Sequence, residues 1–299
     1  MSEAISILIP TFNYNVFTLV TEVHRQAANL EIAYEIIVLD DASDSCILEN
    51  EKIAQFGNTQ FIRSEINLGR TATRHQLAEN ASYENLLFLD ADVFPKYDDF
   101  LKRFVDILPA AGLLFGGIIY ADDVPEADKL LRWKYGHSRE SLTVTEREKN
   151  IYETVNSGCL LIKKEIFIAL NEQLQQQSYG MDLLFKQLLK KHKIAITHID
   201  NPVYHLGLES NKQFVQKALE AVETTVRLEN SKLLQPGIRP IQKSYLRLKK
   251  WRLLSLFGLM IAPFKKMMER NFNSTHPNLF WFDLYRLHYY IQLKNKHRV

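Results

Sequence analysis

Cysteine is nearly absent: 299 residues contain two, Cys46 and Cys159. Two thiols make no disulfide framework, so both are expected as small core residues of a chain in a reducing compartment. Long apolar runs are missing as well. No stretch approaches the ~20 residues needed to span a bilayer, and the longest candidate, 253–262, falls well short. The run Ile5–Ile9 has no basic segment before it and is cut at Pro10, so a signal peptide is not expected and a cytoplasmic location is. Net charge is nearly lacking too, with 37 Lys+Arg against 35 Asp+Glu. That total hides an asymmetry taken up below. No internal repeat or low-complexity tract interrupts the chain.

What is present is ordinary for a globular protein, with 46% hydrophobic and 24% charged residues. A chain this long buries a sizeable core without staples. Through the first two thirds, short apolar runs alternate with amphipathic stretches. Ile5–Ile9, Glu35–Leu39, Thr59–Arg63 and Asn85–Leu89 read as strands. Val16, Leu19, Val20, Val23, Ala27 and Leu30 recur at helical spacing, and a second helix is expected from Thr71 to Ala81. This order predicts an α/β fold with a mostly parallel central sheet flanked by helices. Further strands are expected at 112–120, 155–162 and 194–199, with 121–153 as a long surface excursion and Asn211 capping a helix that carries Phe214, Ala218, Val222 and Leu233.

Right-handed crossovers place the strand C-terminal ends on one edge, where open α/β sheets bind ligands. That edge collects Pro10-Thr11, Asp40-Asp41, the Asn67-Leu68-Gly69 loop and Asp90-Ala91-Asp92. Carboxylates at a strand-end turn can hold a hard divalent cation. Taken alone, Asp90-Ala91-Asp92 also suits a solvated turn. Arg70 and Arg74 stand four apart at the start of a predicted helix, where cations and helix N-terminus favour an anion such as a diphosphate.

In this order, four blocks resemble the family 2 (GT-A fold) inverting glycosyltransferases: Ile7-Leu8-Ile9-Pro10-Thr11-Phe12-Asn13, Ile36-Ile37-Val38-Leu39-Asp40-Asp41-Ala42-Ser43, Asn67-Leu68-Gly69-Arg70-Thr71-Ala72-Thr73-Arg74 and Phe88-Leu89-Asp90-Ala91-Asp92. The likeness is strongest over residues 5–95 and continues more weakly to about 230. It implies a nucleotide-sugar site of Pro10, Thr11, Asp40, Asp41, Arg70, Arg74, Asp90 and Ala91, with Asp41 bonding the base and Asp40 supporting it. It further implies Mn²⁺ or Mg²⁺ held by Asp90, Asp92 and, as in some members, His205. The family's later Glu-Asp pair is matched in part by Tyr179-Gly180-Met181-Asp182, where Met181 replaces the Glu. Asp182 is then the implied catalytic base, and a helix N-cap is its structural alternative. The implied reaction is a single inverting displacement from a nucleotide sugar, by family habit a UDP-sugar, to a glycan or lipid-linked hydroxyl. A nucleotidyltransferase is the alternative enzyme class, but its Gly-rich basic loop has no counterpart in Pro10-Thr11-Phe12-Asn13. A catalytically impaired binding or scaffold module is the other alternative, supported by Met181.

The charge asymmetry lies at Pro236-Gly237. Residues 236–299 hold 13 Lys/Arg and two acids, leaving 24 Lys/Arg against 33 Asp/Glu in 1–235. The expected division is therefore a catalytic domain, 1–235, and a basic, aromatic-rich helical extension, 236–299. A basic surface with Trp and Tyr suits an anionic membrane, here the inner face of the cytoplasmic membrane. Packing on the catalytic domain, or on a second copy in a homodimer, is the competing expectation. No recognition motif accompanies the charge, so nucleic acid is not an expected partner.

Overall fold

The computed structural model describes residues 4–108, 112–174 and 180–296. The first strand, β1 (Ala4–Thr11), carries Ile5, Ile7, Leu8 and Ile9, all without exposure. Such a run suits a strand covered on both faces rather than one. It is followed by α1 (Phe17–Ala27), which buries Leu19, Val20, Val23 and Ala27, and by β2 (Ala33–Asp40). The chain continues through α2 (Ile47–Glu51), β3 (Thr59–Arg63), α3 (Arg70–Asn80) and β4 (Asn85–Leu89), whose five residues are all buried. Burial of Leu86, Leu87, Phe88 and Leu89 contributes roughly 1.5–3 kcal/mol each.

Next come β5 (Val93–Pro95), α4 (Phe100–Val105), β6 (Leu113–Phe115) and β7 (Ile118–Ile119). The single strand expected over 112–120 is thus two strands in different sheets. They break at Gly116-Gly117, where a Cβ on Gly116 would lie 2.3 Å from the Asn201 carbonyl oxygen and Gly117 has φ +104°. The expected surface excursion is also different. It contains α5 (Leu130–Arg139) and α6 (Val144–Glu148). Leu130, Leu131, Arg132 and Arg147 are buried there. Arg147 donates to the carbonyls of Phe115, 3.0 Å, and Ile199, 2.8 Å, so this cation is a tie between strand ends rather than a solvated charge.

The remaining elements are β8 (Cys159–Lys163), α7 (Lys164–Asn171), α8 (Asp182–Lys191), β9 (Ile196–His198), β10 (Val203–His205), α9 (Asn211–Asn230), α10 (Pro240–Lys250), α11 (Leu254–Ile261), α12 (Lys265–Phe272) and α13 (Leu279–Lys296). The central sheet has the order β3-β2-β1-β4-β8-β6-β9, and β5-β10-β7 form a small second sheet. Pairing is parallel except where β8 runs against β4 and β6 in the large sheet and β10 runs against β5 in the small one. The mostly parallel α/β architecture expected from the sequence is therefore present. From β1 the chain winds outward to β2 and β3, then returns to place β4 on the other side of β1. That reversal opens the crevice at the C-terminal ends of β1 and β4.

The chain forms two compact units. One comprises Met1–Ala121, Glu140–Gln177 and Phe185–Gly207, and includes both sheets; the other comprises Asp122–Arg139, Ser178–Leu184 and Leu208–Val299. The compositional boundary at Pro236 falls inside the second unit. There α9 starts at a capping box of Ser210 and Gln213, so Ser210 rather than Asn211 is the cap. The Asn211 side chain instead accepts from the Leu131 amide, 2.9 Å, and donates to the Ala127 carbonyl, 2.9 Å. Leu233 lies beyond the helix and is exposed.

The basic extension packs onto α9. Val222 and Val226 meet Tyr245, Tyr290 and Ile291 in one cluster, while Phe214 meets Phe272 and Phe282 in another. Tyr290 is fully buried and donates to Glu229, which also accepts from Lys294 Nζ at 3.1 Å and from Gln242 Nε2 at 2.5 Å. Of the residues named in the sequence analysis, Tyr179 lies outside the described residues.

Two stability outcomes follow from this packing. Tyr290→Phe, which strips a buried donor from Glu229, should lower unfolding free energy by about 1–3 kcal/mol in urea titration. Ending the chain at residue 235 should produce aggregation on size-exclusion chromatography, because it uncovers Val222, Val226 and Phe214 together.

Candidate active site

Three turns meet where the strand order reverses. Thr11 ends β1 and is buried, its hydroxyl donating to the Tyr14 carbonyl at 3.0 Å. Next to it, β2 ends at Asp40, and the Asp41 amide donates to the Thr11 carbonyl at 2.9 Å. Asp40 is wholly buried and turns inward: Oδ1 accepts from the Ser43 amide and hydroxyl. Its role on display is to shape the 41–45 turn. Asn13, at φ +51°, braces the same turn by accepting from the Asp44 amide at 2.8 Å.

Asp41 takes the Leu68 amide at 2.6 Å and the Gly69 amide at 2.9 Å, one on each carboxylate oxygen. The carboxylate assigned to the base by resemblance thus also orders the loop before α3. Each oxygen keeps a further lone pair for a ligand. Gly69, at φ +78°, is what lets that loop turn into the helix.

From the first two turns of α3, Arg70 and Arg74 reach the end of β4. Arg70 Nη2 donates to Asp90 Oδ2 at 3.0 Å and to Ser157 Oγ at 2.8 Å. Arg74, buried, donates to Asp90 Oδ1 and reaches the Ser157 carbonyl. Burial pushes the Asp90 carboxyl upward, but Arg70, Arg74 and His205 outweigh it and hold it below the usual carboxylate range. Asp90 is therefore ionised at neutral pH and shared between two guanidinium groups. Ala91 fills the turn between it and Asp92.

Asp92 faces the other way, toward the small sheet. β10 runs antiparallel to β5 and sets His205 opposite Val93, and the Leu206 amide donates to the Asp92 carbonyl at 2.7 Å. His205 Nε2 then stands 3.5 Å from Asp92 Oδ2. The Tyr120 ring stacks on the imidazole at 5.3 Å between centroids, and the Tyr120 hydroxyl donates to Glu140. Burial pushes the Asp92 carboxyl up and Asp90 adds to that, while His205 pulls it partly back; the net position is raised. Burial and the Asp92 charge also raise the Tyr14 phenol, keeping it neutral.

A divalent ion bound with a diphosphate takes one or two protein carboxylates, with phosphate oxygens filling other positions. Asp92 and His205 fit such an ion, whose charge would relieve the raised Asp92. Asp90, the other carboxylate of that turn, is engaged by Arg70 and Arg74 in this structure. Among the described residues, no three His, Cys, Asp or Glu side chains gather to hold a metal by themselves.

Asp182 opens α8 as its first residue, in the second unit, after buried Met181 and Gly180 at φ +93°. Three contributors were not singled out from sequence: Ser157, which receives Arg70; Tyr120, which orients His205; and Gly207. A Cβ on Gly207 would lie 2.1 Å from Asp92 Oδ2. Its place two residues after His205 was the available signal; Ser157 offered none.

Sheet, switch point and acidic turns together define an α/β protein with a candidate ligand site at the strand reversal. The family model described as "Glycosyl transferase family 2" matches residues 6–170, more than half of the chain, and the chain belongs to that family. No curated protein matches it significantly. Among solved structures, a mannosyltransferase from Pyrobaculum calidifontis, PcManGT in complex with GDP-Man and Mn²⁺, is similar over 98% of this chain and 86% of that one, at 14% identity and TM-score 0.56. Mannosyl-3-phosphoglycerate synthase from Rubrobacter xylanophilus is similar over 78% and 76%, at 15% identity and TM-score 0.53. S. aureus TarS shares 18% identity and a TM-score of 0.46, and this chain spans 40% of that chain's length. At such identities the likeness concerns the fold. No described helix is long and apolar enough to cross a membrane.

Asp90 keeps Arg70 when its buried partner Arg74 is removed, so Arg74→Gln should cost about 1–3 kcal/mol in denaturant unfolding. The sign with pH is set by the lowered Asp90: its stabilisation is present above the unfolded carboxyl pKa, near pH 4, and lost as pH falls through the lower folded value. Acid-unfolding curves of Arg74→Gln should accordingly break at higher pH than wild type. Gly207→Ala should displace the Asp92 carboxylate and weaken Mn²⁺-dependent ligand binding about tenfold by calorimetry, with little change in melting temperature.

Proposed function

We propose that this glycosyltransferase moves a sugar, with inversion, from a nucleotide-sugar donor to a hydroxyl of a glycan or lipid-linked acceptor, assisted by Mn²⁺ or Mg²⁺. The observation that supports it is the convergence of Arg70 and Arg74 on Asp90 at the strand reversal, beside Asp92 and His205. Two guanidinium groups on one carboxylate form an anion site that a diphosphate can enter by sharing or replacing Asp90. Thr11, Asp41 and the 67–69 loop would line the nucleoside. Asp92 and His205 would hold the ion, whose chemistry is to neutralise charge on the leaving diphosphate.

Asp182 would take the acceptor proton as the new bond forms. One displacement needs no covalent intermediate. UDP is the expected nucleotide by resemblance; the GDP-Man carried by the Pyrobaculum enzyme adds GDP to the donors worth testing. In this reading residues 1–235 carry the chemistry. The basic extension 236–299 faces an anionic membrane where a lipid-linked acceptor would reside.

The second reading, a binding module without turnover, is favoured by Met181: the position of the family's Glu holds a buried thioether. Nucleoside diphosphate release separates the two. With the right nucleotide sugar and Mn²⁺, wild type should release diphosphate. Asp182→Asn should be slower by roughly 10²–10⁴-fold with donor binding intact, and Asp92→Ala should lose the metal dependence. Donor binding without release from any nucleotide sugar and acceptor would favour the module.

A further inference from the structure

Helix α11 is apolar but for Ser255. Its inner face is satisfied: Leu254 and Phe257 pack against the cluster around Tyr245 and Tyr290, and Ile261 against the cluster around Met268 and Phe282. Its outer face is not. Leu259 is 75% exposed, Met260 60% and Leu256 51%, and no residue of the helix is buried. Trp251, 71% exposed, precedes it, and Phe264 and Met267 continue the patch beyond it. A soluble surface rarely presents so many large apolar side chains contiguously unless something covers them. A helix apolar all round is normally surrounded by core or by lipid. Eight residues make a rod of about 12 Å, too short to cross a bilayer but able to lie in its surface.

Charge selects the occupant. From Lys232 to Met268 the chain has nine Lys/Arg and no acid. Lys249, Lys250 and Arg252 stand exposed before the helix, Lys265 and Lys266 after it. The apolar patch is thus bracketed by cations on both sides. A second copy seated two-fold on this face would bring those cations against their own counterparts. An anionic bilayer receives both features at once: acyl chains take Leu256, Leu259 and Met260, headgroup phosphates take the lysines, and Trp251 sits at the boundary between them.

We propose that α11 is an in-plane membrane anchor, inserted into an anionic leaflet through Leu256, Leu259 and Met260 and held by the flanking lysines. Helices α10, α12 and α13 each bury apolar residues against α9 and one another, with Leu246, Met267 and Phe280 left exposed. The anchor deepens, and rests on, the reading of the extension as the membrane-facing part of a transferase. It narrows 64 residues of basic tail, 236–299, to one helix.

Co-sedimentation of the full chain tests it, with vesicles of phosphatidylcholine alone or carrying about a third phosphatidylglycerol. Wild type should pellet with the anionic vesicles and bind the neutral ones at least about tenfold more weakly, with a blue shift in tryptophan emission on binding. The triple variant Leu256→Ser, Leu259→Ser, Met260→Ser should bind at least about tenfold more weakly with an unchanged melting temperature, since these side chains make little of the core. The quadruple variant Lys249→Gln, Lys250→Gln, Lys265→Gln, Lys266→Gln should lose the preference for anionic lipid, at about fivefold per cation that reaches the surface.

Wild type left in the supernatant, or a triple variant that binds like wild type, overturns the anchor. A lipid-free dimer that the triple variant dissolves, seen by light scattering, overturns it in favour of a second copy. Nucleoside diphosphate binding, measured without lipid, should be the same in both variants and wild type; its absence in all three would count against the donor site and not against the anchor.

Discussion

The carboxylate of Asp90 is where the first unit's architecture and its chemistry meet. It sits at the end of the most deeply buried strand and is claimed by two arginines from one helix. Those arginines can reach it only because α3 begins where the Asp41 carboxylate has gathered the Leu68 and Gly69 amides. Asp41 in turn lies at the end of β2 because β2 pairs with β1 over its full length. The chain of cause runs from apolar strand pairing to a loop fixed by one carboxylate, to a helix start, to a guanidinium pair. A buried ion pair of this kind is poor evidence for stability in itself, since desolvation cancels much of the attraction. Its value is an anion site already assembled, with the cost of ordering its side chains met on folding.

The two acids of the Asp90-Ala91-Asp92 turn have unlike surroundings, and therefore unlike protonation behaviour. Asp90 looks toward cations and is held ionised; Asp92 looks toward the small sheet and is pushed toward its neutral form. Adjacent carboxylates with opposed shifts are a common device for dividing labour between groups of one type. Here the division comes from backbone geometry: β5 and β10 hold His205 and Gly207 against Asp92, leaving no room for a side chain at 207.

The second unit is organised by α9 rather than by sequence order. Its 20 residues offer apolar positions along their length, and helices before and after it in sequence close on them. The acidic Glu223 and Glu229 of α9 accept from Tyr289 and Tyr290 of α13. Part of the basic tail's charge is matched inside the unit, by Lys294 on Glu229. The compositional step at Pro236 was real as composition. It was not a boundary of packing, because apolar burial, not charge, decides which helices associate.

The first 95 residues were legible almost element by element. Thr59–Arg63 and Asn85–Leu89 stood as read, since continuous apolar runs and Asp-ended turns are local properties. The edge that collects Thr11, Asp41, Arg70 and Asp90 followed from winding rules and from the resemblance. Reading failed where tertiary contacts overrule composition. Arg132 and Arg147 look like solvated charges until the groups they meet, Glu209 and the strand-end carbonyls, are known. Ser157 has no signal because its partner is 87 residues away. Sequence alone determined the four strands of the first 90 residues, the acidic turns and the family. Only tertiary structure decided which carboxylate meets arginine and which meets histidine, and which tail helix keeps an uncovered apolar face. Those outcomes depend on distances between segments remote in the chain, which local pattern does not encode.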